Sequence, residues 1–513
     1  MPHVVSGDRR IDTAALQHRI SCAASGFASL GIGHGEGVAM CLRNDLEFYE
    51  VSLGAGALGA YAIPINWHFS TEEIAYILAD SGAKALVIHA DLLSRVQEAV
   101  PPDVTVLAVD PATHLREAYD IPESLSVAPP GVLDWANWLE SFPPSAAAPS
   151  QMPLAIFYTS GTTGRPKGVQ RPPMGPDEQA AFTRMLTLDY GLGLFDDPAK
   201  ITTAVVGPIY HGAPNGHAIA SFRAGANVVL LPKFDAEELL EIVESQRITH
   251  LHMVPVMFNR LLKLPMETRR RHDVSSLRFV AHAAAPCSPA VKRAMIDWWG
   301  PIINEYYGAT EVGNVTFCTT QEWLEHPGTV GKTIEGAEVR ILGVDGQPLG
   351  AGEVGEIVCR YQGLEKFSYR HDDAKRQSVD RDGLVATGDV GYLDEDGFLF
   401  VSDRKVDMII SGGVNIYPAE IEAALAGMEG VIDSAVFGIP DEEFGEKVCA
   451  VVQPAVGHHL DAKSVQGYLR ERIAGYKVPR RVEFVDELPR EDSGKIFKRK
   501  LRAPYWESAG RNI

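Results

Sequence analysis

The apolar run Leu154-Ala155-Ile156-Phe157-Tyr158 reads as a buried strand, and the stretch it feeds restricts the architecture more than any other. That stretch is Tyr158-Thr159-Ser160-Gly161-Thr162-Thr163-Gly164-Arg165-Pro166-Lys167-Gly168-Val169. Between Thr159 and Gly168 it crowds three glycines, four hydroxyl side chains and two cations into ten residues. Glycines let backbone N–H groups approach an anion without a Cβ in the way, hydroxyls donate to phosphate oxygens, and Lys or Arg supplies charge. The composition is that of a phosphate cradle at the end of a strand. It is not a Walker loop, which needs four residues between its glycines and a Lys-Ser/Thr pair after the second. Here two residues separate Gly161 from Gly164, and Lys167 precedes Gly168.

The chain on either side alternates strand and helix patterns, which predicts doubly wound α/β subdomains. Helical spacing runs from Ile11 to about Leu30, and 38–42 reads as a strand. Phe48 to Ala62 reads as a small-residue helix. Ser70-Thr71-Glu72-Glu73 fits a capping box that opens a helix ending near Gly82. Strands are predicted at 85–88, 104–109, 227–231 and 248–254, with an Asp235 cap opening another helix. Pro122 to Met152 reads as a surface connection. From Thr333 to Arg360, short strands and glycine-rich turns predict a small β subdomain. Val344-Asp345-Gly346-Gln347-Pro348 and Asp394-Glu395-Asp396-Gly397 have hairpin chemistry. Beyond Arg404 a compact α+β unit follows. The expected division is 1–403 and 404–513, with a hinge at about 403–407 and a mobile carboxyl-terminal domain.

Composition narrows the partners. A net charge of −20 argues against nucleic acid. The six cysteines lie far apart, which excludes a CxxC-type zinc cluster and points to a reducing, cytoplasmic setting. No secretory signal is read at Met1 to Arg10, and no apolar run approaches the roughly 20 residues of a membrane span.

Six more segments carry chemistry. Pro208-Ile209-Tyr210-His211-Gly212 is a strand end bearing an aromatic residue and a His, and His217 six residues on reads as structural. In Ala281-His282-Ala283-Ala284-Ala285-Pro286, small side chains leave room for a flat ring against the backbone. Asn304-Glu305-Tyr306-Tyr307-Gly308-Ala309-Thr310-Glu311 supplies a tyrosine that can stack on a base, a hydroxyl for phosphate and a carboxylate for Mg²⁺. Thr387-Gly388-Asp389-Val390-Gly391 with Ser402-Asp403-Arg404 offers a carboxylate for two ribose hydroxyls and a guanidinium beside it. Arg404 to Glu422, containing Gly412-Gly413-Val414-Asn415, is followed much later by Leu488-Pro489-Arg490-Glu491-Asp492-Ser493-Gly494-Lys495-Ile496.

The loop and these segments, in this order, resemble the adenylate-forming enzymes: acyl-CoA synthetases, aryl-CoA ligases, luciferases and peptide-synthetase adenylation domains. The resemblance spans most of the chain and is nearest to fatty-acid-type CoA ligases. It implies that Thr159, Ser160, Gly161, Thr162, Thr163, Gly164 and Lys167 cradle phosphate, and that Ala283, Ala284 and Ala285 line the adenine, with Ala283 where glycine is usual. Tyr307 then stacks on the base, Thr310 binds phosphate, and Glu311 with Thr162 holds Mg²⁺. Asp389 and Arg404 take the ribose, and His211 borders the acyl carboxylate. Lys495 swings in for adenylation, while Gly412, Gly413 and Asn415 form the thiol channel. Two departures from the family pattern are Val406 at the hinge and Ile410 where aryl-CoA ligases often carry Lys.

ATP, Mg²⁺ and CoA are the implied cofactor and co-substrates, and a small carboxylic acid is the partner. A homodimer is among the assemblies allowed. The reaction is acyl-adenylate formation followed by thioester formation. No Asp or Glu lies between Ala204 and Arg223, which disfavours an α-amino acid, and the Gly and Ala of 212–220 predict a roomy apolar tunnel. A medium- or long-chain fatty acid or a bulky steroid- or aryl-type acid comes first. The alternatives are a coumarate-, ferulate- or benzoate-type ligase, an acyl-AMP ligase loading a carrier protein, and a non-catalytic adenylate-binding regulator.

Overall fold

The computed structural model describes residues 1–145, 153–159, 166–412, 414–455, 457–490 and 496–508. Ser160, Gly161, Thr162, Thr163, Gly164, Gly413 and Lys495 lie outside them, as does the Thr159 side chain. The molecule is mixed α/β. A nine-stranded sheet runs in the order 332–333, 313–318, 303–309, 279–282, 250–253, 202–205, 227–230, 3–6, 9–12. Its six inner strands, Ile303–Ala309 through His3–Ser6, are parallel to their neighbours, and antiparallel strands close both edges. A second, all-parallel sheet has the order Tyr61–Pro64, Gly37–Cys41, Ala83–His89, Thr105–Val109, Leu133–Asp134. Parallel strands need crossover connections, and the helices that supply them cover the sheet faces. This is the doubly wound arrangement expected.

The expected small β unit is an antiparallel sheet built on Ala337–Leu342, Gly355–Tyr361 and Leu384–Leu393, with Leu399–Arg404 pairing the last. Beyond it, strands at 409–411, 414–416, 431–441, 445–454 and 481–484 form the carboxyl-terminal α+β unit with helices Pro418–Ala426, Ala462–Arg470 and Lys498–Ser508.

Local signals behave as their chemistry requires. Ser70 accepts from the Glu73 amide while Glu73 reaches back to the Ser70 amide, and the helix Thr71–Ser81 stops at Gly82 with φ 60°. Asp235 caps Ala236–Ser245 by accepting from two amides. Other expectations are corrected. The helix read as 48–62 is Glu47–Ala57, and Tyr61–Pro64 is a buried strand, because the small residues hid a change of period. The stretch read as a connection holds the helix Trp135–Glu140, whose Trp135 is fully packed and donates to Glu50 Oε2 at 2.7 Å. The polar opening residues form two strands of the large sheet. The hairpin turn expected at Val344–Pro348 does form: Leu342 bridges Pro348 antiparallel, Gly343 N donates to the Gln347 carbonyl at 2.8 Å and Leu349 N to the Ile341 carbonyl at 2.9 Å, while the longer partner of Ala337–Leu342 is Gly355–Tyr361 beyond it.

Helices Thr13–Ser29 and Glu47–Ala57 pack so closely that a Cβ on Gly54 would come 2.8 Å from the Ala23 Cβ. All six cysteines are unpaired. Among the described residues no helix is long and apolar enough to cross a membrane.

Candidate active site

Of the predicted residues that are described, His211, Ala283–Ala285, Tyr307, Thr310 and Glu311 lie at or just beyond the carboxyl ends of parallel strands of the large sheet, the place where open α/β sheets bind ligands. Strand Ile303–Ala309 sends alternate side chains to opposite faces. Tyr307 projects toward the small β sheet and donates its one hydroxyl proton to Asp389 Oδ2 at 2.6 Å, while its oxygen lies 2.9 Å from the Thr387 hydroxyl. Asp389 and Arg404 are register partners across two antiparallel strands, and Arg404 Nε lies 3.3 Å from Asp389 Oδ1. Asp389 is nearly buried while Arg404 is mostly exposed, so the carboxylate is fixed and the guanidinium stays open to the cleft. Burial, and then the neighbouring Asp389 charge, holds the Tyr307 phenol well above its usual range, so it remains a donor.

The turn after that strand carries Thr310 and Glu311. It can be tight because Gly308 lies against the opposite strand: a Cβ there would run into the Gly313 carbonyl. Glu311 Oε1 accepts from the Tyr369 hydroxyl at 2.8 Å. The Arg171 guanidinium, almost completely buried, donates to the Thr310 carbonyl. Burial lowers the Arg171 pKa to about 10, and the Glu311 charge works against that fall, so at neutral pH Arg171 is a fixed cation behind the turn.

Both supports come from the phosphate-loop hairpin. Strands Phe157–Thr159 and Lys167–Gln170 pair with each other, and Ser368–Tyr369 adds a third. Gly168 sits under the Tyr158 ring, where a Cβ would come within 2.8 Å of Cζ. Tyr158 in turn donates to Asp80 Oδ2 at 2.6 Å. Lys167 Nζ reaches Asp372 Oδ2 at 2.7 Å, so a cradle lysine is held by a carboxylate in this state.

After strand Phe279–His282, Ala283 is buried and Ala284 adopts φ 73°, the left-handed region that a Cβ disfavours. The strain falls on Ala284, one residue after the expected departure at Ala283. Strained backbone of this kind clusters where a ligand is received. His211 is the N-cap of helix Gly212–Ala224, and Gly212 faces the Phe157 ring. The 207–211 segment leading to it is pinned by Asn44. Its Nδ2 donates to the Gly207 and Leu231 carbonyls at 3.0 and 2.9 Å, and its Oδ1 accepts from Ile209 N at 2.9 Å.

The expected roomy tunnel beside 212–220 is filled on its sheet side. Tyr190, His217, His252 and Tyr306 pack there as a cluster of rings, each at most 5% exposed.

The structure thus brings together Lys167, Tyr307, Thr310, Glu311, Asp389 and Arg404, with Ala283–Ala285 after the adjacent strand and His211 after the strand Thr202–Val205, two further along the sheet. Gly412 and Asn415 stand on a separate exposed hairpin of the carboxyl-terminal unit, where Gly412 N donates to the Phe444 carbonyl at 2.8 Å. Arg171, Tyr369 and Asn44 were not foreseen, and Thr387 was read only as part of the Asp389 segment. Arg171 follows the short strand Lys167–Gln170, with no apolar pattern to single it out. Tyr369 acts on Glu311 across 58 residues and Asn44 on Gly207 across 163, with no local pattern to betray either.

Comparison with known proteins agrees with this layout. The chain is 33% identical over 98% of its length, and 96% of the relative's, to a feruloyl-CoA synthase from an Amycolatopsis species. It is 30% identical over its whole length, and 95% of the relative's, to the fatty acid–[acyl-carrier-protein] ligase ScoC of Streptomyces coeruleorubidus. The solved anthranilate CoA ligase AuaEII in complex with anthranoyl-AMP superposes with a TM-score of 0.85 at 25% identity, covering 99% of this chain and 95% of that one. The AMP-binding enzyme model matches residues 1–367 and the AMP-binding enzyme C-terminal domain model matches 420–495. With a phosphate-loop hairpin, a tyrosine–carboxylate–guanidinium group and both halves of the family pattern in order, the chain belongs to the AMP-binding, adenylate-forming enzymes.

Proposed function

We propose that the protein is an ATP-dependent acid–CoA ligase that activates a hydrophobic carboxylic acid as its acyl-adenylate and passes the acyl group to CoA. The observation that carries this reading is the Tyr307–Asp389–Arg404 group beside the Thr310–Glu311 turn. It sets a flat ring, a fixed carboxylate and a cation next to a hydroxyl and a second carboxylate, which is the donor and acceptor set of a nucleoside phosphate.

In the first step a substrate carboxylate oxygen bonds to the α-phosphorus of ATP and pyrophosphate leaves. Tyr307 lies along the adenine against Ala283–Ala285, Asp389 accepts from the ribose hydroxyls, and Arg404 balances its charge. Thr159 to Gly164 and Lys167 hold the phosphates, and Thr310 donates to the α-phosphate. Glu311 is a half-exposed hard-oxygen donor whose orientation Tyr369 sets, so it fits Mg²⁺, which it would hold with Thr162. When bound, that ion offsets the negative charge of the phosphates. His211 borders the acid carboxylate, and Lys495 neutralises the charge between carboxylate and α-phosphate.

In the second step the CoA thiol attacks the acyl carbon and AMP leaves. Rotation of residues 404–513 about 403–407 withdraws Lys495 and brings in Gly412, Gly413 and Asn415. Catalysis here is positioning and charge neutralisation.

The test is pyrophosphate release dependent on ATP and Mg²⁺ across a panel of acids, with and without CoA. Acid-dependent release that ends in acyl-CoA and AMP is expected. The ScoC similarity favours one second reading, transfer to a carrier-protein thiol. Adenylate that accumulates with CoA present, but is discharged by a carrier protein, would replace the CoA reading with that one.

A further inference from the structure

Helix Gly212–Ala224 begins at His211, and in the proposed reaction an acid held at His211 would take the inner face of this helix as one wall. That face meets the ring cluster early. Tyr190, at the end of helix Pro176–Asp189, donates its hydroxyl to the Ala213 carbonyl at 3.0 Å, beneath the first turn. His217, two turns in, lies 5.0 Å ring to ring from Tyr190 and 5.8 Å from His252. His252 stacks on Tyr306 at 5.7 Å and its Nε2 lies 2.8 Å from the Tyr306 hydroxyl.

The rings are locked in place. The Thr203 hydroxyl donates to the His250 carbonyl at 3.0 Å, so at its 2.8 Å contact with His217 it accepts from Nε2–H. That contact puts a proton on Nε2, and burial, which holds the His217 pKa far below its usual value, leaves the ring uncharged. Burial likewise brings His252 down to about 4.

We infer that the Tyr190–His217–His252–Tyr306 cluster is the floor of the acyl pocket, and that it restricts the ligase to compact, ring-sized acids over long straight chains. This rests on the acid–CoA ligase reading and narrows it. From His211 to His217 the helix rises about 9 Å, enough for an aryl or phenylpropanoid-sized acid and well short of a hexadecanoyl chain. An aromatic body can stack on these rings or meet them edge to face, contacts a flexible chain does not offer, and uncharged imidazoles supply no cation for a second carboxylate.

The experiment measures kcat/KM for pyrophosphate release and for acyl-CoA formation with full-length enzyme. The acids are benzoate, cinnamate, ferulate and the straight-chain series from butanoate to hexadecanoate. Wild type is expected to prefer the ring acids over hexadecanoate by about ten-fold or more. His217→Ala is expected to move the straight-chain optimum to longer acids. Thr203→Val, which removes the bond to His217 without opening space, is expected to leave that optimum where it was. Hexadecanoate used by wild type as well as the ring acids would overturn the inference and leave the ligase reading standing. So would an unmoved length profile in a folded His217→Ala. Pyrophosphate release with no acid of the panel would instead remove the ligase reading beneath it.

Discussion

Tyr307 shows how much a single hydroxyl organises. Its proton goes to an almost buried carboxylate that otherwise has only the exposed Arg404 beside it. Removing a donor to a charged acceptor costs about 1.5–3 kcal/mol, so Tyr307→Phe should raise the KM for ATP by roughly ten-fold or more, with a smaller effect on the KM for the acid. Steady-state kinetics with each substrate varied separately checks this. Asp189 gives a second test. It is fully buried, its Oδ2 accepts from Asn314 Nδ2 at 2.6 Å, and burial raises its pKa to about 8 from an ordinary 3.8. Unfolded, this group ionises near pH 4; folded, it keeps its proton to about pH 8. The folded state therefore binds the extra proton between those values, and its contribution to stability is lost as pH rises through them. Asp189→Asn should flatten that decline, as read from denaturant midpoints at pH 5 and pH 9. The sequence made Tyr307 and Asp389 visible because their motifs are compact. It could not show the bond between them, because 82 residues separate the two and only the register of distant strands brings them together.

At the scale of elements, legibility followed the range of the interaction. Capping at Ser70 and Asp235 could be read directly, since the cap and the amides it serves lie within three residues. Ser70→Ala should cost about 1 kcal/mol and lower Tm without changing kcat, which calorimetry and an activity assay on the same sample would show. The strand Tyr61–Pro64 was hidden because four fully buried residues carry no alternation. The helix at Trp135 was hidden by the prolines and serines around it, although the indoles of Trp135 and Trp138 fill the core beside Phe27. Glycine and alanine along 212–220 suggested open space, whereas neighbouring elements fill it with larger rings. Small residues in one element speak of close approach, and what approaches is written elsewhere in the chain.

For the whole molecule, the two large sheets share one buried core, in which Val38, Met40 and Val87 of the smaller meet Val4, Val205 and Val228 of the larger, and a polar clasp crosses it. Asn44 follows a strand of the smaller sheet, Gly37–Cys41, and its three hydrogen bonds all end on loops that leave the larger one. Asn44→Ala would leave two carbonyls and an amide without these partners in a buried place. The expected loss is about 3 kcal/mol or more, seen as a lower denaturant midpoint together with slower adenylation, since the same bonds hold the segment leading to His211. The carboxyl-terminal unit is tied on more lightly: Lys263, at the end of helix Pro255–Leu262, donates to the Ile432 carbonyl at 2.6 Å.

The nine-stranded sheet also sets a timetable for the growing chain. Strand His3–Ser6 is made well before its parallel neighbour, Asn227–Leu230. At about 5–20 residues per second, the ribosome delivers that neighbour roughly 10 to 45 s later. Helix Thr13–Ser29 and the five-stranded sheet can assemble meanwhile, while the opening hairpin waits with one edge unmatched. Asn227–Leu230 in turn depends on that hairpin for its outer partner, and a chain lacking residues 1–12 would present it as a bare edge open to pairing with other nascent chains.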